Sequence, residues 1–186
     1  MKPAYTSREE ILKASRELVR EKNWEALNIR SVAAACKVSV GCLYNYFTSK
    51  NELVAGTVES IWREIFQLPE EIKNKNDLKA ALVQLYQQLK IGSEKYPDFA
   101  SMHSVVLFPE NKKQESETML STWNFIEKRI AETIKSDPSV NQERLKDLFS
   151  AEQAARILFA QILYSLVKNE FDPSPILEIA DRLLYE

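Results

Sequence analysis

Residues 28–50 read Asn-Ile-Arg-Ser-Val-Ala-Ala-Ala-Cys-Lys-Val-Ser-Val-Gly-Cys-Leu-Tyr-Asn-Tyr-Phe-Thr-Ser-Lys, and this stretch decides the fold. It predicts two short helices joined by a tight turn. Asn28 is placed to cap a first helix running from Ile29 to about Cys36, with Val32, Ala33 and Cys36 on its inner face. Lys37-Val38 makes the turn, and Ser39 caps a second helix that turns Leu43 and Phe47 inward at i, i+4. Ala33 is small where the two helices must cross closely. On the second helix Val40, Gly41, Tyr44 and Asn45 share the opposite face, flanked by Tyr46. Small residues at its start let the backbone approach a surface, where hydroxyls and an amide can hydrogen-bond. That is the layout of a helix-turn-helix offering a recognition helix to the major groove.

The flanks make the pattern specific. Residues 7–53 run from Ser7-Arg-Glu-Glu10, a capping-box sequence, through Ile11, Ala14, Leu18 and Val19 at helical spacing, to a second capping box at Ser49-Lys-Asn-Glu52. With the string Val38-Ser39-x-Gly41-x-Leu43-Tyr44-x-Tyr46-Phe47-x-Ser49-Lys50, this region resembles the N-terminal domain of the tetracycline-repressor (TetR) family. The resemblance implies an all-α fold. A three-helix helix-turn-helix DNA-binding domain would occupy 5–65, and a helical effector-binding and dimerisation domain 66–186. It places Asn28, Arg30, Ser39, Val40, Gly41, Cys42, Tyr44, Asn45, Tyr46 and Lys50 at the DNA. Tyr44, Tyr46 and Lys50 would sit on phosphates, and Asn45 with the Val40-Gly41 edge on bases.

The departures from the family pattern are informative. Lys37 and Asn23 stand where the family has glycine at helix ends, so both are expected at positive φ, which asparagine tolerates better than lysine. Val40 replaces a residue that is often basic or polar, and Cys42 a common threonine. Cys42 is read as a passive contact and not a thiol switch, because Cys36 should point into the core and leaves it no resolving partner.

Only three glycines in 186 residues, with abundant Leu, Ala, Glu and Lys, fit an all-helical protein. No apolar run approaches the roughly 18 residues that span a bilayer, and no signal-peptide pattern is present, so a soluble, cytoplasmic protein with no membrane partner is expected. The formal net charge is −2, unevenly spread: residues 1–54 hold nine Lys/Arg against six Asp/Glu, the remainder 16 against 21. An acidic protein binds DNA if positive charge is confined to the docking face. Residues 28–50 satisfy that condition, with Arg30, Lys37 and Lys50 and no acidic side chain.

Further helices are expected from about 50 to Leu68, over 77–95, from Asp98 to Leu107, over 115–135, as a short turn at 142–149, from Ser150 to Asn169 and from Pro173 or Pro175 to Tyr185. The 154–167 segment is apolar on nearly its whole circumference, which calls for burial on every side. One face on the core and another on a second subunit meets that requirement, and the resemblance implies a homodimer through the last two helices. Phe159, Ala160, Leu163, Val167, Ile176, Ile179 and Leu183 are the expected interface.

No catalytic constellation appears, and no cofactor or metal is expected: the lone His103 has no ligand partner at metal spacing. Trp62, Phe66, Tyr86, Met102, His103, Phe108, Trp123 and Tyr164 supply apolar walls with polar tips, and the resemblance implies a small-molecule effector there. The function expected is therefore an operator-binding regulator, a homodimeric repressor released by an apolar or amphipathic effector. The alternatives are a ligand-binding helical-bundle enzyme or scavenger, and an effector-independent DNA-bound interaction protein.

Overall fold

The computed structural model describes residues 6–66, 76–100, 113–147 and 150–186, with side chains for all of these but 113–119 and 146–147. The chain is helical, and among the described residues there is no strand. The helices are α1 (Arg8–Lys22), α2 (Ile29–Ala35), α3 (Val40–Tyr44), α4 (Lys50–Ile65), α5 (Leu78–Lys95), α6 (Lys113–Ser136), α7 (Gln142–Asp147), α8 (Ala151–Lys168) and α9 (Ser174–Ala180). A 3₁₀ turn at Trp24–Ala26 precedes α2, and a wide π turn at Asp181–Tyr185 ends α9. Of the helix expected over 98–107, only the stretch to Ala100 falls within the described residues. No helix among them is long and apolar enough to cross a membrane.

Two compact units form. The first takes Met1–Glu64 together with Ser93–Leu120. Its core gathers Ile11, Val19, Leu27, Val32, Leu43, Phe47, Leu53, Val58, Ile61 and Trp62, all fully buried. The sequence-distant segment is tied in by specific contacts. The indole Nε1 of Trp24 donates to the Pro97 carbonyl at 2.8 Å, and Trp62 meets Phe99 edge-on with ring centroids 5.4 Å apart. Glu64 receives Lys95 Nζ at 2.6 Å, Tyr96 Oη at 3.0 Å and Arg16 Nε at 3.2 Å. Burial pushes this carboxyl's pKa up, but those three partners outweigh it and hold it below the usual range.

The second unit takes Ile65–Gly92 and Ser121–Glu186. Within it α8 buries Ala154, Ala155, Leu158, Phe159, Ile162 and Leu166, while Tyr164 and Val167 on its other side are 54% and 66% exposed. The helix is thus apolar on both sides, as the sequence requires. Phe159 and Ile176 are buried in the unit's own core and so leave the expected outward-facing set. Ala160 and Val167 are exposed; Leu163, Ile179 and Leu183 are half-buried.

The N-terminus of α5 is fixed from a distance. Asp77 caps it locally, accepting from Ala80 N at 2.9 Å, and Asp137 accepts from Leu78 N at 2.9 Å. The buried Asp137 carboxylate also takes Ser139 N at 2.8 Å and the Tyr185 hydroxyl at 2.6 Å. Burial raises the pKa of this carboxyl, but the hydrogen bonds from Tyr185, Leu78 and Ser139 outweigh burial and leave it below its ordinary value. Asp137→Ala strands buried N–H donors and should cost about 1–3 kcal/mol at neutral pH. A folded pKa below the unfolded one, about 3.9, makes this contribution complete above that value and lost as pH falls through the depressed folded one. Chemical denaturation of the wild type and variant across pH should show their difference shrinking only below about pH 4.

Candidate nucleic-acid interface

Every element of the motif is locally fixed. Ser7 and Glu10 close a reciprocal capping box on α1, at 2.9 and 3.1 Å. Asn23 leaves α1 at φ 70°, and its side chain accepts from Glu25 N at 3.0 Å to start the 3₁₀ turn. Asn28 caps α2 by accepting from Ser31 N at 3.0 Å, and its amide donates to the Ala26 carbonyl at 3.2 Å. Lys37 sits at φ 56° in the turn, the left-handed conformation expected at a position where the family pattern has glycine, and one that a side chain disfavours. Ser39 caps α3, accepting from Cys42 N at 3.1 Å. Leu43 and Phe47 are fully buried, and the guanidinium of Arg8 lies 4.7 Å over the Phe47 ring.

The outward side of α3 then follows. Tyr44 is 51% exposed and Val40 38%; Gly41 and Asn45 are exposed as well. Arg30 and Lys50 are exposed, and among the described residues no carboxylate pairs with Arg30, Lys37 or Lys50. Cys42 is half-buried. Cys36 is half-buried too, not fully interior, and burial above all pushes its thiol pKa up, so it stays protonated.

Two expected members are otherwise engaged. Tyr46 is half-buried and its hydroxyl donates to the Thr6 carbonyl at 2.6 Å, which ties the chain ahead of α1 to the end of α3. That proton is not available to a phosphate, so Tyr46 positions α3. The Asn28 amide is largely taken up by its capping bonds. Glu52 also departs from the simple pattern: its carboxylate binds Thr48 N and Oγ1, at 2.6 and 2.8 Å, while Glu52 N donates to Ser49 Oγ.

The residues expected to line an effector pocket fall in both units or outside the described residues. Trp62 is buried in the first unit. In the second, Tyr86 is buried with its hydroxyl 2.9 Å from Ser165 Oγ, and Trp123 meets Phe159 edge-on at 5.7 Å with its Nε1 enclosed and lacking an acceptor among the described residues. Tyr164 is mostly exposed and Phe66 half-buried; Met102, His103 and Phe108 lie outside the described residues. A groove of about 300 Å³ between α6 and α8 is lined mainly by charged residues, among them the Arg156–Glu127 and Lys135–Glu152 pairs at 3.5 and 2.5 Å.

Residues 11–57 match the model of the bacterial regulatory proteins of the tetR family. Those residues are thus similar to the DNA-binding region that defines the TetR family. An uncharacterised HTH-type transcriptional regulator of Mycobacterium tuberculosis is 30% identical over 88 residues, an alignment taking in 45% of this chain and 41% of that protein. The chain thus spans about two-fifths of the relative it matches. The TetR fold extends further. BioQ, solved with its double-stranded DNA operator, superposes with a TM-score of 0.62 at 15% identity, covering 96% of this chain and 98% of BioQ. A TetR variant from Acinetobacter baumannii, solved in complex with minocycline, gives 0.59 at 18% identity, covering 96% and 94%.

Because the Tyr46–Thr6 bond anchors the chain ahead of α1, Tyr46→Phe should lower stability by about 1 kcal/mol. Thermal or urea unfolding checks this, and an unchanged midpoint would show that the bond contributes nothing.

Proposed function

We propose that the chain is a transcriptional regulator that binds duplex DNA as a homodimer and is released by a small effector bound in its second unit. The observation that carries the DNA reading is the motif itself: a capped α3 with Val40, Gly41, Tyr44 and Asn45 exposed, beside three cations without carboxylate partners among the described residues. Asn45 would read a base edge, and Tyr44, Arg30 and Lys50 would fix register on phosphates.

Support for the dimer comes from α8. Its exposed Ile157, Ala160, Tyr164 and Val167 fall at the 3-4-3 spacing with which one helix seam packs on another. Half-buried Leu163, Ile179 and Leu183 border it. A symmetric pair would present two recognition helices, and tight binding requires them to match major-groove faces roughly 34–36 Å apart. An effector acts by changing that separation, and a coupling of about 1–3 kcal/mol gives substantial release. Repression follows the same logic, since an operator-bound dimer blocks the DNA it occupies. The enclosed Nε1 of Trp123, without an acceptor among the described residues, supports a ligand that brings a hydrogen-bond acceptor.

Two experiments bear on this. Lys50→Ala should weaken binding to all duplexes alike and lower the slope of log K against log salt by about one unit. An altered sequence preference with the slope intact would assign Lys50 to bases instead. Val167→Glu should leave the monomer folded, because the site is solvent-facing, yet give monomers at micromolar concentration and weaken operator binding by more than about tenfold, or 1.4 kcal/mol. Sedimentation showing a wild-type monomer at that concentration would end the dimer reading.

A further inference from the structure

The chain has three glycines, at positions 41, 56 and 92, and packing accounts for two of them. A Cβ on Gly56 would stand 3.0 Å from Phe47 Cε1 and 3.3 Å from Leu12 Cδ2. One on Gly92 would stand 2.7 Å from both Cγ1 and Cδ1 of Ile65. Both glycines therefore serve close contacts inside the protein.

Gly41 has no such reason. A Cβ there would meet only Ser39 Oγ, at 3.9 Å, which is ordinary contact. The residue sits in α3 without the positive φ that would demand glycine. Glycine also weakens a helix, because it loses more backbone freedom on folding than any other residue. α3 has only five residues in which to bear that handicap. A residue that the local fold disfavours and the packing does not require is explained by something outside the chain. Its neighbours give the direction: Val40 and Tyr44 are exposed on the same short helix and Asn45 at its C-cap.

Resting on the DNA reading above, we infer that Gly41 is the point of closest backbone approach to the major groove, and that its missing Cβ sets how deeply α3 enters. The tyrosine, arginine and lysine side chains reach phosphates from a longer distance. A methyl group at position 41 would therefore hold the helix off the base edges while leaving phosphate contacts in place. Gly41 acts as a specificity-determining residue without making a hydrogen bond of its own, and its effect falls on base readout rather than on general affinity.

The test uses the full chain. A duplex is selected from a random-sequence pool by the wild type, and affinities for it and for a scrambled duplex are measured for the wild type, Gly41→Ala and Gly41→Ser, alongside melting temperatures. Both substitutions should weaken the selected duplex by at least about tenfold, change the scrambled duplex by less than about twofold, and leave Tm at or above that of the wild type. Selected-duplex affinity within about twofold of wild type would overturn the inference. So would an equal loss on both duplexes, or a fall in Tm, which would show that the fold itself needs the glycine. A wild type that selects no duplex at all defeats the DNA reading and this inference together. A wild type that selects one and is matched by Gly41→Ala defeats only the inference.

Discussion

A helix of five residues has no stability of its own, because the cost of nucleating a helical turn is recovered only over a dozen residues or more. α3 exists because Leu43 and Phe47 are buried at zero exposure and because Ser39 caps its first turn. The rest of the N-terminal unit is arranged around that burial. Arg8 covers the Phe47 ring, Gly56 leaves α4 close enough to touch the same ring, and Tyr46 anchors the chain before α1. The exposed side of α3 is thus presented by a rigid inner side, which a recognition surface requires. Loosening either apolar anchor would disorder the outward residues without touching any of them.

Charge is managed by the same economy of neighbours. The unit is not strongly basic, yet many of its carboxylates are occupied. Glu10 and Glu52 close caps; Glu17 pairs with Arg20 and Glu59 with Arg63; Glu64 holds Arg16 and Lys95. Arg30, Lys37 and Lys50 lack such partners among the described residues. Local pairing therefore leaves the motif's cations unneutralised in a chain of net charge −2. Exposed pairs of this kind contribute little to stability, so their value here lies in engaging carboxylates that would otherwise compete for the motif's charge.

Much of this was legible in the sequence because it rests on local rules. Caps at Ser7, Asn28 and Ser39 follow from side-chain oxygens that can reach a backbone N–H three residues on. The positive φ of Asn23 and Lys37 follows from their place at helix ends where the family pattern has glycine. Leu43 and Phe47 follow from helical spacing. What the sequence concealed is long-range. Nothing near Tyr46 announces Thr6, 40 residues away, as its acceptor. Nothing near Asp137 announces Leu78 and Tyr185, 59 and 48 residues off. The two faces of α8 were both apolar, so hydropathy alone gave no means to decide that Phe159 turns inward while Tyr164 and Val167 turn out.

That last ambiguity carries physical content. A helix with one apolar face can be assigned its partner from sequence; a helix with two needs the position of its neighbours. α8 commits Phe159 to Trp123 and Ser165 to Tyr86, and these contacts, with the burial of Ala154, Ala155, Leu158, Ile162 and Leu166, set its rotation about its own axis. Once the rotation is fixed, Ile157, Ala160, Tyr164 and Val167 are left in solvent. The Tyr86–Ser165 bond matters more than its modest energy suggests, because a buried hydroxyl pair tolerates only one register of the two helices that supply it. Purely apolar contacts in its place would permit neighbouring rotations at little cost, and the outward seam would lose its definition. A polar pair inside the core thereby specifies what lies on the outside.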